Sequence, residues 1–183
     1  NLSQWKLLEL GKLTREEVLV RRYEILFQEV GMSCDAKKIS EKYEDFLGEG
    51  HYFIPGAKEL LEDLSKKYHL YLASNGAVKV QMSRIKSAGI EKYLEKIFLS
   101  EQIGYEKPSP PFFEKCFAQI PDFKKEEALI LGDSLTSDIR GGKNAGILTV
   151  WFHPSGKKVE EEIVPDYEIG KLEELKTILS FYS

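Results

Sequence analysis

Apolar positions recur at helical spacing through the first fifty residues and give way to short apolar runs after that. Gln4 to Glu9 reads as an amphipathic helix with Leu2, Trp5 and Leu8 on one stripe. Thr14-Arg15-Glu16-Glu17 predicts a capping-box start, in which the Thr14 hydroxyl accepts an early amide and Glu17 reaches back. Val18, Leu19, Arg22, Ile25, Leu26 and Glu29 then keep a 3.6-residue period to a stop near Gly31. A further helix is predicted from Asp35 to Leu47, ending at Gly48. No strand is predicted in this part.

Beyond Phe53-Ile54-Pro55-Gly56 the pattern alternates. Ala57, Leu60, Leu61 and Leu64 mark a helix, and His69 to Ala73 reads as a strand ending at Ser74-Asn75-Gly76. Val78 to Ala88 is helical, and Lys96 to Ser100 is a short strand. Ser109 is expected to cap a helix with Pro110 at its first position and Phe113, Cys116, Phe117 and Ile120 on its apolar stripe. Ala128 to Leu131 is a strand leading into Gly132-Asp133. A helix follows from Ile139 to Ala145, then a strand from Ile147 to Phe152 and a last helix from Leu172 to Leu179. Strands alternating with helices predict an α/β fold, a Rossmann-like parallel sheet with helices on both faces.

Composition narrows the function classes. With 42% hydrophobic and 31% charged residues the 183-residue chain is suited to a buried core, and it has no long apolar run to span a membrane. A net charge of −4 offers no basic field for a nucleic acid polymer or an anionic membrane. Cys34 and Cys116 have no framework spacing and read as free thiols in a reducing, cytoplasmic setting. His51, His69 and His153 lack the paired spacing of a zinc site.

In an open parallel sheet, ligands gather beyond the carboxyl ends of the strands, so polar residues there are the candidates. Ser74 and Asn75 end the first predicted strand, where a hydroxyl and turn amides suit a phosphate or serve as an ordinary helix cap. Lys107 precedes Pro108, which pushes it out of the helical region and directs its ammonium; a surface lysine is the plainer reading. Asp133 and Asp138 flank a strand-to-helix turn, where paired carboxylates suit Mg²⁺, although Asp138 could simply cap a helix. Trp151 and His153 end a late strand and could pack there or line a pocket mouth. Tyr43 and Phe46 could pack within the helical part or meet substrate. Glu160-Glu161-Glu162 reads as a solvated helix face.

Taken in order, Leu72-Ala73-Ser74-Asn75, Glu106-Lys107-Pro108, Gly132-Asp133 with Asp138, and Gly141-Gly142-Lys143-Asn144-Ala145-Gly146 resemble the haloacid-dehalogenase-like (HAD) hydrolase superfamily. The likeness is nearest to its pyrimidine 5′-nucleotidase and N-acylneuraminate-9-phosphatase branch. The resemblance implies a Mg²⁺-dependent phosphomonoester hydrolase acting through an aspartyl-phosphate on a small phosphorylated metabolite. It implies Ser74, Asn75 and Lys107 at the phosphate, Lys107 and Asp133 in catalysis, and Asp133 and Asp138 at the metal. It divides the chain into an incomplete helical cap over residues 1–50 and an α/β core over residues 51–183.

The sequence departs from the family at one place: it contains no Asp-x-Asp, the motif that carries the nucleophile. The resemblance puts that motif at the end of a first strand, central in the sheet between the strands ending at Ser74 and Asp133. The expectation is therefore a core lacking that strand, with the natural protein longer and this chain itself inactive. Two other readings stay open: a non-catalytic phosphate-binding or interaction module, and a metal-independent haloacid dehalogenase.

Overall fold

The computed structural model describes residues 2–9, 11–156 and 162–182. The chain divides into a helical unit, Asn1–His51 with Val78–Ala88, and an α/β unit, Tyr52–Ala77 with Gly89–Ser183.

The helical unit comprises α1 (Leu2–Glu9), α2 (Arg15–Glu29), α3 (Ala36–Glu49) and α5 (Val78–Ala88). The capping box at α2 is complete: Glu17 N donates to Thr14 Oγ1 at 3.3 Å and Thr14 N donates to Glu17 Oε2 at 2.7 Å. Asp35 caps α3 by accepting from Lys38 N at 3.1 Å. The Arg22 guanidinium lies over the rings of Tyr23 and Tyr43, 4.8 and 4.9 Å from their centroids, and ties α2 to α3. Gly48 does not stop α3 as its sequence context predicts. The helix runs through it to Glu49 because the glycine faces α5, where Ser83 Oγ donates to its carbonyl at 2.7 Å. An ion pair between Lys79 and Asp45 at 2.6 Å closes the same seam.

The α/β unit contains α4 (Ala57–Leu64), β1 (Tyr71–Ser74), β2 (Lys96–Leu99), α6 (Ser100–Ile103), α7 (Pro110–Phe117) and β3 (Leu129–Gly132). It continues with α8 (Arg140–Ala145), β4 (Leu148–Phe152), β5 (Tyr167–Ile169) and α9 (Leu175–Leu179). Every strand pair is parallel, but the strands form two sheets, β1–β2 and β3–β4–β5. Among the described residues β1 pairs only with β2, and β3 only with β4. The division lies between the strands ending at Ser74 and Gly132.

Period-two alternation sends neighbouring side chains to opposite faces. Leu129, Leu131, Val150 and Phe152 pack with Leu60 of α4 and with Leu175 and Ile178 of α9. Ile130 faces the other way, joining Tyr71, Ala73 and Phe98 beneath Phe112, Phe113 and Cys116 of α7 and Ala145 of α8. The Gly141-Gly142 pair lets α8 come this close. A Cβ on Gly141 would lie 2.5 Å from Phe113 Cε2, and one on Gly142 2.5 Å from Ile130 Cγ2.

Two further sequence expectations change. Ser109 precedes α7 but does not cap it; its hydroxyl donates to the Glu106 carbonyl at 2.5 Å instead. The helix expected from Ile139 starts earlier, as a π-helical turn over Leu135–Ile139 that passes into α8. Cys34 is exposed and Cys116 buried, both as free thiols, and burial pushes the Cys116 thiol up to about 12. Of the acidic run, Glu160 and Glu161 lie outside the described residues, as does the Leu2 side chain. No described helix is long and apolar enough to cross a membrane.

β5 is a strand the hydrophobic pattern does not reveal, since it is only three residues long. Asp166 stitches its start to the sheet. Thr149 donates to Asp166 Oδ2 from its amide at 2.9 Å and its hydroxyl at 2.7 Å, and Lys143 Nζ reaches Oδ1 at 2.5 Å. Burial pushes this carboxyl up, but the hydrogen bonds from Lys143 and Thr149 outweigh it and hold it below its ordinary value of 3.8. Asp166→Ala is expected to cost about 1–2 kcal/mol in urea unfolding at pH 7, because the fully buried Thr149 loses its acceptor. A depressed carboxyl stabilises the fold only while ionised. The difference between wild type and variant should therefore be full above pH 3.8 and shrink as the pH falls through the lower folded-state value.

Candidate active site

The three candidate segments lie at the carboxyl ends of β1 and β3 and on the loop before α7. At the first, Ser74 Oγ accepts from Gly76 N at 3.0 Å, which turns the chain and leaves the hydroxyl proton available to donate. Asn75 uses its carboxamide on the second segment. Its Nδ2 donates to the Lys107 carbonyl at 2.9 Å, and its Oδ1 accepts from Lys107 N, also at 2.9 Å. This two-point clip fixes the lysine backbone before its side chain is considered.

Lys107 is 6% exposed, so it is no surface lysine. Its Nζ donates to the Ala73 carbonyl at 2.7 Å and to Asp138 Oδ1 at 2.6 Å. The ammonium thus ties the end of β1 to the turn after β3. An ammonium has three donors, and these bonds use two.

The third segment is built around Gly132. Ser134 caps the π-helical turn by accepting from Ser137 N at 3.1 Å, and its own amide donates to Asp138 Oδ2 at 3.1 Å. Asp138 is 7% exposed and folds back against the strand end. A Cβ on Gly132 would sit 2.3 Å from Asp138 Cβ, so only glycine leaves room for this carboxylate. Asp138, expected at the metal either directly, through water or by orienting its neighbours, has both oxygens hydrogen-bonded, Oδ1 to Lys107 Nζ and Oδ2 to Ser134 N.

Asp133 is the reverse case. It is exposed, and its carboxylate has no hydrogen bond or ion pair among the described residues. A cluster of three or more metal-ligating side chains does not occur among them either. Mg²⁺ does not require one, since it binds through one or two carboxylates and keeps waters and phosphate oxygens. A solvent-facing, unpaired carboxylate at a strand end fits that demand.

The structure therefore joins Asn75, Lys107 and Asp138 by direct hydrogen bonds, places Ser74 next to the carbonyl that Lys107 grips, and leaves Asp133 open. Two contributors escape sequence reasoning. The Ala73 carbonyl carries no side-chain signal at all. Ser134 could be recognised only by its cap spacing to Ser137.

Comparison with known proteins places the chain in a family. Residues 3–152 match the haloacid dehalogenase-like hydrolase family. The chain is 42% identical over 180 residues to the HAD-hydrolase YfnB of Bacillus subtilis, covering 98% of this chain and 77% of that protein. The crystal structure of YfnB bound to magnesium superposes with a TM-score of 0.92 at 42% identity, covering 97% of this chain and 78% of that one. Pyrimidine 5′-nucleotidase PynA of Streptococcus pneumoniae is 37% identical, covering 96% of this chain and 74% of its own. The N-acylneuraminate-9-phosphatase of Mus musculus is 27% identical, covering 89% and 68%. On the match across residues 3–152 and the extent of the YfnB likeness, the chain belongs to the haloacid dehalogenase-like hydrolase family.

Proposed function

We propose that this protein is a Mg²⁺-dependent phosphomonoester hydrolase of small phosphorylated metabolites, with pyrimidine nucleoside 5′-monophosphates as first substrates. The observation that carries this reading is the Lys107 ammonium, buried and fixed by Ala73 and Asp138, with one N–H left to meet an anion. The activities named for PynA and for the mouse phosphatase support the substrate class.

In this reading Ser74 donates its hydroxyl proton to one phosphate oxygen and Lys107 donates to another. Asn75 acts through Lys107, whose backbone it clips, and Asp138 acts by holding the ammonium in place through its Oδ1. Asp133 would hold Mg²⁺ together with water and phosphate oxygens, and the ion when bound neutralises phosphate charge. The nucleophile is an aspartate. Its carboxylate oxygen bonds to phosphorus as the ester P–O bond breaks and the alcohol leaves, and water then cleaves the acyl phosphate. No Asp-x-Asp occurs among the 183 residues, so turnover is to be measured on the protein as the cell makes it.

Phosphate release from such a nucleotide is expected to require Mg²⁺ and to stop on chelation. Asp133→Asn and Lys107→Ala should each lower kcat by about 100-fold or more. Unchanged turnover in either variant would overturn its assigned role. Halide release from a haloacid that survives chelation would instead indicate a metal-independent dehalogenase, and phosphate binding without turnover a binding module.

A further inference from the structure

Trp151 lies directly behind Asp133. It stands opposite Gly132 in the β3–β4 register, and its indole Nε1–H donates to the Asp133 carbonyl oxygen at 3.0 Å. The ring is 8% exposed and packs with Leu135 and Ile139 of the π-helical turn. Its other support is His153, stacked at 3.9 Å between ring centroids with planes 16° apart. His153 is in turn held at both ring nitrogens, by Glu168 Oε1 at 2.9 Å and by Ser155 Oγ at 2.7 Å. The indole is thus fixed by β4, by the turn and by the His153 platform before it meets residue 133.

An indole has one donor and no acceptor. Here that donor goes to the backbone of the residue whose carboxylate is exposed and unpaired. A carboxylate springing from a mobile backbone would lose more freedom on taking a cation than one springing from a backbone already fixed. The same ring also packs under the turn that carries Asp138, so one side chain supports both acidic positions.

We propose that Trp151 is a positioning residue for cation binding at Asp133, with His153 and Glu168 holding its ring in place. This rests on the reading of Asp133 as the metal-binding carboxylate. Plain packing predicts something different: phenylalanine would fill the site nearly as well and leave cation binding unchanged.

The test uses Mn²⁺ as probe, with the electron paramagnetic resonance signal of the free ion read during titration of the whole protein. Wild type is expected to bind saturably and Asp133→Asn to lose that binding. Trp151→Phe, which keeps a ring against His153 but removes the N–H, should bind about ten-fold more weakly, as expected for loss of a partner outside the ligand shell. Its urea midpoint should stay close to that of wild type. His153→Ala keeps the indole N–H and removes the platform, and should weaken binding by a smaller factor. Equal affinity in wild type and Trp151→Phe overturns the positioning role while leaving Asp133 as the ligand. If Trp151→Phe fails to fold, unchanged affinity in His153→Ala overturns it. Absence of Asp133-dependent binding in wild type overturns the metal reading itself, and the proposal with it.

Discussion

Replacing Asp138 with alanine is expected to lower unfolding stability by about 3–5 kcal/mol, read as a shifted urea midpoint at unchanged slope. The cause lies less in the ion pair's own strength than in what remains when half is removed. Lys107 and Asp138 have side chains 8% and 10% exposed, with Nζ and Oδ1 2.6 Å apart. Without the carboxylate, a buried ammonium keeps only the Ala73 carbonyl, and the Ser134 amide loses its acceptor as well. The double variant Lys107→Met with Asp138→Ala should lose less than Asp138→Ala alone, because removing both charges removes the desolvation penalty. Phosphatase activity should be lost in both. A double variant less stable than Asp138→Ala would show that Lys107 stabilises the fold even without its carboxylate partner, against the desolvation argument.

Gly132→Ala is expected to cost about 3 kcal/mol and to disrupt the Lys107–Asp138 bond along with it. The new methyl would lie 2.3 Å from Asp138 Cβ and 2.4 Å from its Cγ. Cβ cannot swing aside as a chain end can, so backbone must move, either in β3 opposite Trp151 or in the π-helical turn. The gain of about 0.4–1 kcal/mol that alanine brings by restricting the unfolded chain is too small to offset this. Because the nearest atoms all belong to Asp138, Gly132→Ala and loss of the whole residue-138 side chain should not add. Gly132→Ala placed on Asp138→Gly, which removes that Cβ as well as the carboxylate, should cost little further, in a cycle read by urea unfolding. Full additivity would mean the glycine serves the strand and not the carboxylate.

Much of the secondary structure is legible from local pattern. The strands ending near Ser74 and Gly132, the helix from Val78 to Ala88 and the capping box at Thr14 all follow from periodicity and cap chemistry, which act over a few residues. The order of Ser74, Lys107, Asp133 and Asp138 along the chain also needs no coordinates, because strand ends in a parallel sheet collect at one side. Elements whose signals are short or shared are not legible in this way. β5 has three residues, and Gly48 looks like a helix stop until Ser83 is seen against it.

The sequence by itself determined the alternation of strand and helix, the parallel sheet it implies, and which polar residues end the strands. Only the tertiary structure decided what those residues do to one another. Asp138 and Lys107 are 31 positions apart, and Asn75 and Lys107 are 32 apart. Whether such groups meet depends on strand register and on a glycine's missing side chain. Periodicity and capping are local, but the pairing of a buried charge is a property of the packed interior. Along the chain Asp138 reads equally as a helix cap or as part of a metal site; in space it is a buried lysine's partner.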